Sequence, residues 1–417
     1  MAKVIIIGGG AAGLLAGISA QINGATETTI LEKMSRVGKK LLITGKGRCN
    51  ITNNCTVQEL IKNLPGNGRF LYGAFSKFDN QDMVKLLEDN GLTTKVERGG
   101  RVFPQSDKAQ DVVDTLSKIF TKLGGKICVG KKVVAINTEE NCVVSVTCGD
   151  GSSYNCDAVV LTTGGASYPG TGSTGDGYKL AEVLGHSIIP LKPSLVPLEC
   201  ASDYIKELQG LSLKNVSAKI VANDKTIGED FGEMLFTHFG VSGPIILSLS
   251  RFAALAINDA NTKYLDLVID LKPALSQEVL DARVQRDFAK YSRKQLVNAL
   301  KDLLPNRLIP VIIDCACLRQ EQAVNQITKE ERTRLVIALK NFSMPITGTR
   351  PLSEAIVTSG GINTKEINPK NLASKIINGL YIAGEVMDVD GFTGGYNLQA
   401  AFSSGYVAGA AAACEEG

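Results

Sequence analysis

The spacing of apolar positions divides this chain into stretches of two kinds. Lys3 to Ile7 (KVIII) is a short apolar run rich in β-branched residues and reads as a buried strand. Leu14 to Ile22 reads as a helix, and Thr28 to Leu31 as a second strand that ends at Glu32. Further on, Gln81–Asn90 reads as a helix and Thr93–Glu97 as a strand. Ser106 to Leu123 has helical periodicity, with Ser106 or Asp107 as its N-cap. Lys126–Val129 and Val133–Ile136 are predicted strands. Cys142–Cys148 and Tyr154–Cys156 form a predicted hairpin around Asp150-Gly151. Asp157–Thr162 is a buried strand, and Tyr178–Leu184 a helix.

At Pro190 the texture changes. Between Val196 and Asp270 the apolar runs are short and alternating (Ser217–Val221, Met234–Thr237, Leu265–Ile269), which predicts a small antiparallel β-domain. From Pro273 to about Glu331 the pattern is helical and charged. The β-texture resumes near Leu335 and runs to about Thr349. Gly379–Glu385 then reads as a buried strand, and Leu398–Ala412 as a small-residue helix packed on a sheet. A strand–turn–helix unit has returned at the end of the chain, and the simplest topology has it rejoin the first sheet. The expected class is therefore α/β. A discontinuous Rossmann domain (1–190 and 352–417) is interrupted by a small antiparallel β-domain (191–273 and 332–351), with a small helical insertion (274–331).

The turns carry the chemistry. Gly8-Gly9-Gly10-Ala11-Ala12-Gly13 follows the first strand, opens the first helix and fits G-x-G-x-x-G. Glu32 stands nineteen residues after Gly13. Gly8 suits the tight turn, Gly10 lets backbone approach a pyrophosphate, and Gly13 lets helix pack on strand. The helix N-terminus offers free N–H groups to phosphates, and Glu32 can accept from a ribose hydroxyl. The Asp157–Thr162 strand ends in Thr163-Gly164-Gly165. The late strand ends in Gly384-Glu385, followed by Asp388 and the glycine-rich turn to Gly395. Two such units at opposite ends of one chain suit FAD, which is long enough to need both. Glu385 or Asp388 can accept from ribityl hydroxyls, and backbone N–H groups of Tyr396, Asn397 and Leu398 can face the flavin O2. Leu41–Asn54, with Gly45, Gly47, Arg48 and Cys49, is a loop suited to wrap a cofactor.

Composition narrows the partners. The 417 residues carry a net charge of +3, which gives no argument for nucleic acid. Ten cysteines without a disulfide framework fit a reducing compartment. No apolar run is long enough to span a bilayer, and the chain starts directly on the nucleotide-binding strand. A soluble, cytoplasmic protein is expected. Two histidines, His186 and His238, and no clustered ligand spacing give no metal site. Cys49 and Cys55 are spaced differently from a flavoprotein redox pair. Gly240–Pro244 is a poor nucleophile elbow, and His238 reads as structural. Tyr168 could donate a proton to a substrate or anchor its loop. Arg101 could bind a substrate carboxylate or pair with a surface acid.

Long strings extend this reading: GGGAAGL at 8–14, TGKGRCNITN at 44–53, GRVFP at 100–104, TGGASYPGTGSTGDGY at 163–178, GEMLFTHFGVSGP at 232–244 and AGEVMDVDGFTGGYNLQAAFSSG at 383–405. With them the chain resembles, over essentially its whole length, the bacterial NAD(P)/FAD-dependent oxidoreductases of the aminoacetone oxidase family. That group includes a reductase of bile acids with a conjugated 3-oxo ring system. The resemblance implies a glutathione-reductase-like FAD domain with β-barrel-like and helical inserts. It implies non-covalent FAD lined by Gly8, Gly10, Ala12, Gly13, Glu32, Lys33, Lys40, Arg48, Cys49, Val133, Gly384, Glu385, Asn397 and Leu398, with Val133 acting through its backbone beside the adenine. Ala11, Gly47, Gly164, Asp388, Gly395 and Tyr396 complete the candidate set.

The expected reaction is NAD(P)H-dependent reduction of a conjugated C=C in an apolar, steroid- or bile-acid-like enone, with Tyr168 as candidate proton donor. The chain has no second dinucleotide fingerprint, so NAD(P)H would visit only transiently. The alternatives are a flavin amine oxidase acting on a small amine such as aminoacetone and producing H2O2, a flavin-dependent nucleic-acid-modifying or regulatory protein, and a fumarate-reductase-like enzyme suggested by TGDG at 174–177.

Overall fold

The computed structural model describes residues 2–414. They form two compact units: residues up to Lys192 together with those from Leu352 onward, and Pro193–Pro351.

The first unit is built on a five-stranded parallel sheet. Its spatial order is Leu380–Ile382, Ala158–Leu161, Lys3–Ile7, Glu27–Glu32, Lys126–Val129. The middle strands are buried along both faces. Ile6, Ile30 and all of Ala158–Leu161 are closed to solvent, which is why they read as unbroken apolar runs rather than alternating ones. The chain starts in the middle. From Lys3–Ile7 it proceeds to Glu27–Glu32 on one side and later to Ala158–Leu161 on the other. Parallel strands end at the same edge, so this reversal opens a crevice at the carboxyl ends of the central strands.

The helix Ala11–Ile22 and the helix Tyr396–Ala413 pack on each other through small residues. A Cβ on Gly405 would stand 2.2 Å from the Ala12 carbonyl oxygen, and one on Gly409 2.0 Å from that of Ala16. The C-terminal small-residue run is therefore spaced to let two backbones touch. Its main partner is the first helix, in addition to the sheet that its sequence suggests. Ser404 on the same helix reaches back, its hydroxyl accepting from the Gly384 N–H at 3.0 Å.

Two sequence expectations change here. The helix after Pro104 starts at Ala109 with Lys108 at its N-cap, not Ser106 or Asp107. Asp107 sits in the left-handed region (φ 56°), and its carboxylate is held by Lys95 and Arg48, so it cannot cap. The β-texture assigned near Leu335 begins only at Phe342. Residues Lys329–Lys340 are a helix, started by a reciprocal Thr328/Glu331 capping box, and they bury Leu335, Val336 and Leu339 at helical spacing.

The second unit holds a closed six-stranded antiparallel barrel. Its order is Leu198–Cys200, Gly240–Ser242, Lys225–Phe236, Ser212–Ala222, Leu265–Asp270, Phe342–Thr349. Its longest hairpin turns on Asn223-Asp224, both at positive φ, as a two-residue turn between right-twisted strands requires. A helix, Pro244–Ile257, also stands where only short strands were expected. Proline starts it, and Ile245, Ile246, Leu249, Ala253 and Ala256 form its buried stripe. The helices Gln277–Lys290, Leu308–Cys315 and Lys329–Lys340 share one apolar core with the barrel. Among the described residues no helix is long and apolar enough to cross a membrane.

His186 is enclosed in the first unit. Its Nε2 lies 2.9 Å from Ser374 Oγ and its Nδ1 3.2 Å from Glu366 Oε2. The order Ser–His–acid resembles a nucleophilic triad, but Ser374 Oγ already accepts from the Ile376 and Ile377 N–H groups. The Ser374 and Lys375 N–H groups are also taken, by Leu380 and Glu366 carbonyls. No oxyanion donor remains on that turn, so the group is a structural latch.

Two predictions follow from this packing. Gly405→Ala should lower stability by about 1–3 kcal/mol, because the added methyl meets backbone rather than a yielding side chain; the midpoint of urea unfolding checks it. Burial pushes the His186 pKa down despite Glu366, while Ser187 and His186 hold the Glu366 carboxyl low against its burial. The unfolded chain therefore binds more protons than the native one as pH falls below about 6.5. Stability should drop between about pH 7 and pH 4, and His186→Gln should flatten the upper part of that drop in a series of urea midpoints.

Candidate active site

Three glycine turns meet at the crevice because each follows the carboxyl end of one of three adjacent parallel strands. They are Gly8–Gly13 after Lys3–Ile7, Thr162–Gly165 after Ala158–Leu161, and Ala383–Glu385 after Leu380–Ile382.

The three fingerprint glycines have different surroundings. A Cβ on Gly8 (φ 103°) would lie 2.6 Å from the Thr162 carbonyl oxygen, and one on Gly13 only 1.9 Å from that of Gly8. Both are fixed by internal contact. A Cβ on Gly10 would meet nothing within 4 Å. Gly10 precedes a helix with no side-chain cap, and the helix's first intrahelical bond is Leu14 N–H to the Gly10 carbonyl. The N–H groups of Ala11, Ala12 and Gly13 thus face an open cradle, a ready anion site. Glu32 braces this cradle. Its carboxylate accepts from Gly9 N–H at 2.9 Å and from Met34 N–H at 2.8 Å.

On the opposite wall, Gly384 (φ 81°) approaches Ala12, where a Cβ would come within 2.8 Å of the Ala12 methyl. Glu385 beside it is a hub. Its Oε1 accepts from Lys40 Nζ (2.9 Å), Ser167 Oγ (3.1 Å) and Thr358 N–H (3.0 Å), and its Oε2 from Lys40 Nζ (2.7 Å). Lys40 also donates to Ser167 at 2.7 Å. Of the two acids proposed for a ribityl contact, Glu385 stands at the strand end with Lys40, whereas Asp388 accepts from Asn67. Lys33 is paired with Asp176, which Lys132 also approaches. Lys131 N–H bonds the Glu32 carbonyl, and this brings Val133 to the same end of the sheet.

The helix Tyr396–Ala413 begins after Gly395 (φ 97°), and its first intrahelical bond is Gln399 N–H to Gly395 carbonyl. The N–H groups of Tyr396, Asn397 and Leu398 are its leading donors. The Asn397 side chain is used internally, bonding Gly391 N–H, Gly391 O and Phe392 O, so only its backbone can serve a ligand.

In the 44–54 loop, Gly45, Lys46, Gly47 and Cys49 all have positive φ. Arg48 was expected to line a cofactor. Its guanidinium instead pairs with Glu97 (2.8 Å) and Asp107 (3.2 Å) and lies 4.0 Å over the Phe103 ring. It pins the loop to the Thr94–Glu97/Arg101–Pro104 hairpin. Cys49 is fully enclosed, and burial pushes its thiol up to about 12. Cys55 is free as well and pushed up to about 11. Neither is a thiolate at neutral pH.

Tyr168 is 39% exposed, with φ 52°, next to Ser167 of the Glu385 hub. Arg101 donates to the Arg98 carbonyl. His238, in the second unit, stands edge-on to Phe239. Sequence reasoning missed Ser167, Thr358 and Asp176. Asp176 and Ser167 lay within the quoted 163–178 string, but the bonds of Ser167 and Thr358 run to Glu385, distant in sequence. Among the described residues, five buried side chains hold a polar atom without a partner, and four of them are on crevice-forming segments: Thr52, Thr163, Tyr178 and Gln399. No group of three His, Cys, Asp or Glu able to hold a metal ion occurs among the described residues.

A parallel sheet carrying three glycine turns at its switch point, the first opening a helix, is the FAD-binding type of Rossmann fold. This chain belongs to the HI0933-like Rossmann domain family, whose model matches residues 2–411. It is 32% identical over 416 residues to the 3-dehydro-bile acid delta(4,6)-reductase of Clostridium scindens, covering 99% of both chains. It is also 32% identical over 411 residues to the ribosomal RNA dihydrouridine synthase of Haemophilus influenzae, covering 96% of both. Among solved structures it is similar to 3-ketosteroid-delta4-(5alpha)-dehydrogenase from Rhodococcus jostii RHA1, at TM-score 0.54 and 16% identity, covering 99% of this chain and 97% of that one. At that identity the likeness speaks for the fold alone.

The Lys40–Glu385 pair is mostly shielded, with side chains 24% and 18% exposed. Lys40→Met should destabilise the protein by about 1–3 kcal/mol by leaving Glu385 without its cation. The double variant Lys40→Met/Glu385→Gln should lose less than the sum of the single losses in a urea-unfolding double-mutant cycle.

Proposed function

We propose that this protein is an FAD-dependent oxidoreductase that reduces a C=C conjugated to a carbonyl, with NAD(P)H as transient electron donor. The observation that carries the reading is the Gly10 cradle: open to 4 Å, set at a helix N-terminus and braced by Glu32, at the sheet's switch point. The names of two relatives from different settings support the reaction class. One is a reductase of a 3-oxo (3-dehydro) bile acid, and the other makes a dihydro-pyrimidine. Both names denote hydrogenation of a ring C=C, and in each compound class that bond is conjugated to a carbonyl. The apolar, steroid- or bile-acid-like enone is our first reading of the substrate. A uridine in RNA is the second, favoured by the Haemophilus relative at the same identity.

Bound FAD would supply the hydride that reaches the β-carbon. The chain's part is to hold and orient. The Ala11–Gly13 N–H groups would take the pyrophosphate and Glu32 a ribose hydroxyl, with Val133 backbone beside the adenine. Glu385, steadied by Lys40, would take ribityl hydroxyls, and the Tyr396–Leu398 N–H groups would favour negative charge on the flavin pyrimidine ring. Arg48 and Cys49 would contribute through the shape of their loop. Tyr168, exposed beside Ser167, is the candidate donor of the proton to the α-carbon.

The test is an anaerobic absorbance titration. A flavin spectrum that bleaches with NADH or NADPH and returns on adding an enone is the expected result. Bleaching by small amines, with no response to nicotinamides and with H2O2 formed in air, would replace this reading by an amine oxidase. Recovery with uridine-containing RNA but no enone would select the second substrate. Gly10→Val should fold with near wild-type stability yet bind no FAD, because its side chain enters the cradle and its Cβ meets nothing within 4 Å in the protein.

A further inference from the structure

Arg101 begins the central strand of a small sheet whose order is Thr52–Asn53, Arg101–Pro104, Thr94–Glu97. The acid directly opposite it in register is Glu97. Arg48 takes that carboxylate with both terminal nitrogens, Nη1 to Oε1 at 2.8 Å and Nη2 to Oε2 at 3.3 Å. The other acid that Arg48 meets, Asp107, is shared with Lys95. Arg101 donates only from Nε, to the Arg98 carbonyl at 3.1 Å. Among the described residues it makes no ion pair, and its side chain is exposed with Nη1 and Nη2 unpartnered. A surface acid is therefore not its partner.

The guanidinium is nevertheless oriented. The Nε bond fixes one side of it, and its Cζ lies 5.9 Å from the centroid of the buried Phe103 ring, over which Arg48 also sits at 4.0 Å. Two guanidiniums thus flank one ring, and only that of Arg48 is neutralised. An added oxyanion at Arg101 relieves this excess of positive charge.

The fork also stands close to the crevice. Asn53 is the cross-strand partner of Arg101. Its Nδ2 donates to the Gly99 carbonyl at the hairpin tip (3.0 Å) and to the Gly394 carbonyl (3.1 Å). Gly394 and Gly395 lead into the helix Tyr396–Ala413, and a Cβ on Gly395 would lie 2.5 Å from the Thr52 carbonyl oxygen. One asparagine therefore ties the turn that presents Arg101 to the turn that presents the Tyr396–Leu398 N–H groups.

We propose that Arg101 is a specificity-determining residue that binds a carboxylate of the substrate through Nη1 and Nη2. A planar fork matches a carboxylate with two parallel N–H···O bonds. This rests on the enone reading above and narrows it to an apolar enone that also carries a carboxylate.

The experiment measures KM and kcat of the FAD-loaded, full-length enzyme for a 3-oxo-4-ene steroid bearing a side-chain carboxylate and for its methyl ester. Wild type should show the lower KM for the acid. Arg101→Gln should raise KM for the acid about tenfold to a hundredfold more than for the ester. Arg101→Lys, which keeps the charge without the fork, should recover part of that difference. Arg98→Gln removes an equal charge from the same turn and should alter the ratio far less. Equal changes for acid and ester in Arg101→Gln overturn the proposal. So do equal losses in Arg98→Gln and Arg101→Gln, which would show attraction by net charge alone, or a KM change confined to NADPH. Should Arg101→Gln fail to fold, Arg101→Lys decides by the same ratio. If wild type reduces neither compound, the enone reading falls and this proposal with it. If it reduces both with the same KM, the enone reading stands and this proposal falls.

Discussion

The first unit depends on backbone contact between the helices at the two ends of the chain. Gly405 and Gly409 lie one turn apart and face the carbonyls of Ala12 and Ala16 at distances that no side chain would permit. Dispersion and small-residue packing thereby close a loop of nearly four hundred residues (Ala12 to Gly405). The consequence is local. With the helices in contact, the last strand sits beside Ala158–Leu161, and Ser404 can hold the Gly384 N–H. The crevice has its third wall only because the C-terminal helix is pressed against the N-terminal one.

Parallel pairing then does the rest of the positioning. Strands running the same way deliver their following turns to the same edge, so residues 8–13, 162–165 and 383–385 converge without a dedicated contact for each. Charge enters as a second layer. Glu32 gathers backbone N–H groups from the first turn, and Glu385 gathers Lys40, Ser167 and Thr358 from three other segments. Each carboxylate fixes backbone as well as facing the crevice. In the loop at 44–54, Arg48 is committed to Glu97 and Asp107.

The same physics explains which structural elements were readable. The strands of the parallel sheet are short runs buried on both faces, and the turns between them need glycine at positive φ, so both leave local marks. The helices Pro244–Ile257 and Lys329–Lys340 were obscured because their sequences contain β-branched pairs, buried Ile245-Ile246 and buried Val336 next to exposed Ile337, that look like strand. In both, tertiary burial of one face outweighs the weak local preference. Asp107 failed as a cap for a related reason: Arg48, distant in sequence, and Lys95 on the preceding hairpin take its carboxylate.

By itself, the sequence determined the α/β class, the discontinuity of the dinucleotide-type domain, an inserted antiparallel β-domain and the position of the glycine turns. Those features follow from periodicity and from the conformational demands of single residues. Family membership was legible too, through strings long enough to identify it. Only the tertiary structure decided which acid at the late strand stands with Lys40, that Arg48 pairs with Glu97 and Asp107, and that Asn397 spends its side chain on its own turn. It alone exposed the unpartnered hydroxyls of Thr163 and Tyr178. Each of these depends on which groups compete for the same hydrogen bond or ion pair, and that competition exists only once distant segments are brought within about 3 Å of one another.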